Sequence, residues 1–172
     1  MLKLIGATLI IVVSTFAGFY IARTYKERPL QLRILQQAFQ MLETEIVYGL
    51  VALDIIMKHI GDRLPKNLNL IFLDMSENLQ SLDGSSTFNC WKKAIDKNFQ
   101  STELKKQDKE ILVNFGQTLG CSDRDDQMKH IRLTIKNLET EEMLAREEQK
   151  TYEGLSKNIG ILLGILVVIL IY

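Results

Sequence analysis

An all-α fold, an antiparallel bundle of about six helices between two terminal transmembrane helices, follows from three features of the sequence. Leu4 to Ala22 and Asn158 to Tyr172 carry no charged side chain. The stretch between them is rich in Leu, Glu, Lys and Gln, and its apolar residues recur at steps of three and four. Only two prolines, Pro29 and Pro65, interrupt it, and runs of Val, Ile and Thr are scarce outside the ends.

The first segment, residues 1–23, reads as an anchor. Nineteen apolar or small residues from Leu4 to Ala22 make a helix of roughly 28 Å, close to the thickness of a bilayer's hydrocarbon core. A cleaved signal peptide is the rival reading, with Lys3 as the basic flank and Thr15 and Ala17 at the positions preceding a cut. Charge opposes it: Arg23, Lys26, Arg28 and Arg33 outnumber Lys3, which keeps the residues after the segment in the cytoplasm.

Residues 24–151 read as a cytoplasmic helical bundle. Pro29 suits the first turn of a new helix, because its missing N–H would lack an intrahelical partner there. Leu32, Leu35, Phe39, Leu42 and Ile46 form that helix's apolar stripe, and Gly49 falls on the same stripe. Ala52 to Leu64 makes a second stripe, stopped by Gly61 to Pro65, and Leu68 to Leu82 a third. Asp83, Gly84, Ser85 and Ser86 mark the clearest turn. Phe88, Trp91, Ile95 and Phe99 supply a fourth helix. A fifth, capped by Ser101 or Thr102, carries Leu104 to Leu119 and stops at Gly120. Ser122 or Asp123 caps the last helix, with Asp125 and Asp126 in its first turn and Met128, Ile131, Ile135 and Leu138 as its seam. Beyond Leu138 this helix leaves the core as a charged stalk, and with no breaker before Lys157 it would run roughly 52 Å from Asp123.

Residues 152–172 form the second anchor. The uncharged tail is short for a crossing, but Tyr152 and Tyr172, twenty residues apart, reach the two interfaces while Lys157 snorkels. Two anchors on one side of a membrane require an even number of helices between and including them.

Function classes narrow by exclusion. Twenty-one basic residues balance twenty-one acidic ones, which gives no electrostatic case for nucleic acid. There is no P-loop and no HExxH, His59 and His130 stand alone, and Asp123, Asp125 and Asp126 lack a calcium loop's Gly and distal Glu. The reading is a non-enzymatic protein with no catalytic residue, metal or cofactor. Cys90 and Cys121 would pair if exported and stay free thiols in the cytoplasm, the latter following from the anchor's flanks. Small residues recur every four positions in both anchors, Ser14, Gly18 and Ala22 in the first and Gly160 and Gly164 in the second, the pattern that lets membrane helices approach closely.

Leu35 to Gly49 (LQQAFQMLETEIVYG), Phe115 to Gly120 (FGQTLG), Asp123, Asp126-Gln127 and Lys129-His130-Ile131 together resemble the stage III sporulation protein AB family of endospore-forming bacteria, over the whole chain. The resemblance implies a domain similar to the cytoplasmic domain of type II secretion inner-membrane platform proteins. It implies partners as well: a secretion-type ATPase and other membrane proteins of a channel complex between mother cell and forespore. The chain would then sit in the mother-cell membrane as an adaptor, with assembly into a homo-oligomer open. Glu43, Glu45, Tyr48, Gly49, Gly116, Gly120, Gln127 and His130 are the motif positions carried over, as partner contacts or determinants of bundle geometry. The alternative is a membrane-tethered helical module that senses a ligand and signals through the stalk; no polar, ligand-shaped cluster supports it.

Overall fold

A computed structural model describes residues 2–48, 51–81, 84–120 and 124–171. All regular structure among them is helical: α1 Leu2–Tyr48, α2 Leu53–Arg63, α3 Asn69–Gln80, α4 Thr87–Asn98, a 3₁₀ turn Phe99–Ser101, α5 Lys106–Gly116 and α6 Arg124–Ile171. The contacts divide the chain into two units. One holds the residues up to Pro29 together with those from Met143 onward, and the other is Leu30–Glu142.

The six helices of the expected bundle are present, with the apolar ends built into the first and last of them. α1 therefore does not begin afresh at Pro29, as the sequence suggests, but runs through it. The ring removes the N–H that would bond the carbonyl of Tyr25, a loss of about 3 kcal/mol in a helix interior. Flanking packing offsets it: Arg28, Pro29, Gln31 and Leu32 are all buried.

In the Leu30–Glu142 unit, the stripe Leu32, Leu35, Phe39 and Leu42 of α1 is fully buried, with Met57 and Ile60 of α2, Ile71, Phe72 and Met75 of α3, Trp91 and Ile95 of α4, Leu112 of α5 and Ile131 and Leu138 of α6. An aromatic chain organises the centre. Phe39 meets Phe115 edge-on at 4.8 Å between ring centroids, Phe115 meets Trp91 at 6.0 Å, and Trp91 meets Phe72 at 5.7 Å. Such edge-on pairs add about 0.5–1.5 kcal/mol each beyond area burial. The Trp91 indole N–H donates to the Leu112 carbonyl at 2.6 Å, so its one polar atom is satisfied in the core.

Helix ends follow local chemistry. Asp54 opens α2 and Arg63 closes it, matching the helix dipole. Ser86 caps α4 by accepting the Asn89 N–H at 3.3 Å. The expected cap of α5 at Ser101 or Thr102 is displaced to Lys105. Both hydroxyls turn back instead, Ser101 donating to the Asn98 carbonyl and Thr102 to that of Phe99, each at 2.7 Å, and so close the 3₁₀ turn. Fully buried Asp108 accepts the Lys105 N–H at 2.7 Å. α5 also ends earlier than expected, at Gly116, because residues 117–119 tighten into i→i−3 bonds before Gly120 turns with φ +80°. The proposed caps Ser122 and Asp123, like Cys121, lie outside the described residues. Cys90 is buried, its Sγ 3.5 Å from the Asn78 carbonyl oxygen.

α3 and α4 are tied by a polar cluster. Asp74 accepts from Lys97 at 2.8 Å and from Asn98 at 2.6 Å. Burial raises the Asp74 carboxyl, but the hydrogen bonds from Lys97 and Asn98 together outweigh it and hold the group below its ordinary value. A depressed carboxyl contributes stability above its unfolded pKa, about 3.9, and that contribution is lost as pH falls through the folded value. Asp74→Asn is therefore expected to cost about 1 kcal/mol at pH 7. The gap from wild type should narrow in paired thermal melts as pH falls below the ordinary carboxylate range; a gap independent of pH would contradict the assignment.

Candidate helix interface and partner surface

In the unit formed by the chain's two ends, the start of α1 and the end of α6 run antiparallel at backbone contact. A Cβ built on Gly18 would lie 2.8 Å from the Gly160 Cα and 2.8 Å from the Ser156 carbonyl oxygen. One on Gly160 would lie 2.7 Å from the Gly18 Cα. Side chains do not fit at such distances, so only glycine permits this approach. Ser14 donates its hydroxyl to the Gly160 carbonyl at 2.9 Å. A Cβ on Gly164 would meet the Ile11 Cα and the Ser14 Cβ, each at 3.1 Å. Ala22 completes the stripe, 2% exposed. Around this seam the apolar side chains, Leu9, Val12, Val13, Phe16, Leu162, Leu163, Leu166 and Ile169 among them, face outward. Both helices are long and apolar enough to cross a membrane.

The same register continues past the apolar stretch. Lys157 hydrogen-bonds Glu153 at 2.8 Å, with its ammonium 6.0 Å from the Phe19 ring centroid. Tyr25 stacks on Tyr152 at 5.4 Å. Arg28, 2% exposed, pairs with Glu148 at 3.2 Å.

In the other unit, the residues singled out by motif fall in separate places. Glu43 accepts the Arg132 Nε–H at 2.6 Å, which joins α1 to α6. Nearby, half-exposed Glu45 forms no ion pair among the described residues and borders an open groove of about 440 Å³ with Gln37, Gln40, Met41, Thr44 and Arg63. Gly116 is buried under the indole: a Cβ there would lie 2.2 Å from Trp91 Cδ1. Gly120, with its positive φ, and Gln127 line a smaller groove with Ile46, Val51, Leu53, Ile56 and Leu119. His130 is half-buried, its carbonyl accepting from Thr134. Tyr48 is the last residue of α1, and Gly49 lies outside the described residues.

The model of the stage III sporulation protein AB family matches residues 3–172. The chain belongs to the stage III sporulation protein AB family. Stage III sporulation protein AB of Bacillus subtilis (strain 168) is 38% identical to it over 171 residues, 99% of each chain. A solved structure of stage III sporulation protein AB (SpoIIIAB) superimposes with a TM-score of 0.69 at 36% identity, covering 73% of this chain and 98% of the other.

For this stage III sporulation protein AB family member, reading the sequence one helix at a time missed the pairs that join α1 to α6. Arg28 with Glu148 and Tyr25 with Tyr152 are two. Buried Glu142, which accepts from Gln36 at 2.8 Å and Arg33 at 3.2 Å, is a third centre. A signal for the first two was available: an antiparallel register that faces Gly18 with Gly160 also faces Tyr25 with Tyr152 and Arg28 with Glu148.

Proposed function

We propose that the protein is a non-enzymatic platform subunit of a channel complex between mother cell and forespore. The start of α1 and the end of α6 form its membrane hairpin, and the Leu30–Glu142 bundle lies in the mother-cell cytoplasm, where it docks a secretion-type ATPase. The observation that carries the reading is the glycine-to-glycine contact of two outward-apolar helices at the ends of one chain, an arrangement suited to lipid rather than water. Membership of a sporulation family supports the setting.

Glu45 is the acidic group best placed to meet a basic partner surface. Glu43 is already engaged by Arg132, so reversing its charge would disturb the bundle, whereas Glu45 borders an open groove. In pull-downs of the full chain with a secretion-type ATPase from the same organism, Glu45→Lys is expected to weaken binding by about tenfold, the loss of one charge pair at an interface worth ~1.4 kcal/mol. Thermal stability should stay within about 0.5 kcal/mol of wild type. Full binding by Glu45→Lys would remove the groove from the docking surface; no binding by wild type would overturn the ATPase reading.

A further inference from the structure

The polar end of the helix pair carries both internally paired and exposed charges, with Lys26 near enough to Glu153 to attract its carboxylate. Arg28 is buried against Glu148, and Lys157 is held by Glu153, which also accepts from Gln149 at 3.0 Å. Two carboxylates of this stretch are thus occupied inside the hairpin. Arg23 and Lys26, three residues apart on α1, and Lys150 on α6 are exposed. The register set by Gly18 with Gly160 and Tyr25 with Tyr152 puts Lys150 level with about residue 27 of α1. The three cations therefore lie within roughly 6 Å along the helix axis. They begin one residue beyond Ala22, where the charge-free run ends, and lie at the depth of the Tyr25–Tyr152 stack, Tyr152 being 44% exposed. Glu27 is half-buried and Glu147 exposed on the side away from the apolar segment.

We propose that Arg23, Lys26 and Lys150 form a collar that binds the headgroup phosphates of anionic phospholipids, with the tyrosine pair seated at the interface between headgroups and acyl chains. The assignment rests on the membrane-hairpin reading. A phosphodiester fits because the exposed charge is cationic, is concentrated at one depth, and adjoins an apolar seam that keeps the lipid's chains beside it. Arg28 and Lys157 are excluded from the collar by their internal partners, a selection that counting basic residues would not make.

The test uses the full chain exchanged into mixed vesicles of phosphatidylcholine and phosphatidylglycerol, floated, re-extracted and assayed for retained lipid. Wild type should retain phosphatidylglycerol in excess of its share. Each cation removed should lower that enrichment by about fivefold at low ionic strength, so Arg23→Gln, Lys26→Gln and Lys150→Gln together should abolish it, while Arg23→Lys, Lys26→Arg and Lys150→Arg should keep it. Equal enrichment by wild type and the triple glutamine variant, both floating with the vesicles, would overturn the collar and leave the membrane reading standing. Failure of wild type to float would overturn both. Displacement of the lipid by inorganic phosphate at matched ionic strength would show a free-phosphate site and overturn the lipid assignment.

Discussion

Gly116→Ala is expected to destabilise the bundle by about 3 kcal/mol, the sum of overpacking at a core position and the loss of a buried hydrogen bond. The added methyl would lie 2.2 Å from Trp91 Cδ1. The indole cannot retreat without cost, because it is fully buried between Phe72 and Phe115 and its N–H is committed to the Leu112 carbonyl. For a unit of this size, such a loss lowers the melting temperature by roughly 10–20 °C. Trp91 is the sole tryptophan, so its fluorescence reports the displacement directly. A melt within a few degrees of wild type, with unshifted emission, would show that the glycine does not hold the indole in place. Gly120→Ala is a useful contrast. There the penalty is for a left-handed backbone, φ +80°, with Thr87 Oγ1 3.3 Å from the added carbon, and about 1–2 kcal/mol is expected.

Gly160→Leu is expected to separate the hairpin. Its side chain would have to occupy space filled by the Gly18 Cα and the Ser14 carbonyl, 2.7 and 2.9 Å from the new Cβ. No rotamer avoids a clash that begins at Cβ itself, so the helices must move apart. The Ser14 hydrogen bond is then lost, a contribution of about 0.6–1.7 kcal/mol in membrane proteins, together with the close packing around it. Helix pairing in lipid should fall by about tenfold or more, the equivalent of ~1.4 kcal/mol, as read by energy transfer between probes at the ends of the two helices in vesicles. Pairing as strong as wild type would mean that the glycine contact does not hold the helices together.

The residues that were legible in the sequence are those whose neighbours lie on their own helix. The stripe Leu32, Leu35, Phe39 and Leu42 declares a buried face by its spacing alone, and its burial is complete. Residues were misread where a local signal competes with packing. Pro29 looks like a start because its ring is cheapest there, yet burial on both sides carries the helix through it. Ser101 and Thr102 have capping side chains, but their hydroxyls serve the turn behind them. Partnerships between distant segments are the least visible. Glu43 stays open between partner contact and bundle geometry until Arg132, eighty-nine positions away, is placed beside it. Gly116 and Gly120 share a spacing and differ in purpose, the first making room for an indole and the second supplying a backbone conformation. Family resemblance singles out positions without saying what any of them touches.

The two apolar segments pair with each other in one molecule, and a designed disulfide can check that pairing. Ser14 Cβ and a Cβ built on Gly164 lie 3.1 Å apart, within a few tenths of an ångström of the separation a disulfide requires. Ser14→Cys with Gly164→Cys, in a chain whose Cys90 and Cys121 are replaced by alanine, should on mild oxidation in membranes give a monomer with a closed loop, recognisable by its altered migration without reductant. Dimers alone, or no crosslink under conditions that oxidise a control pair, would contradict an intramolecular hairpin.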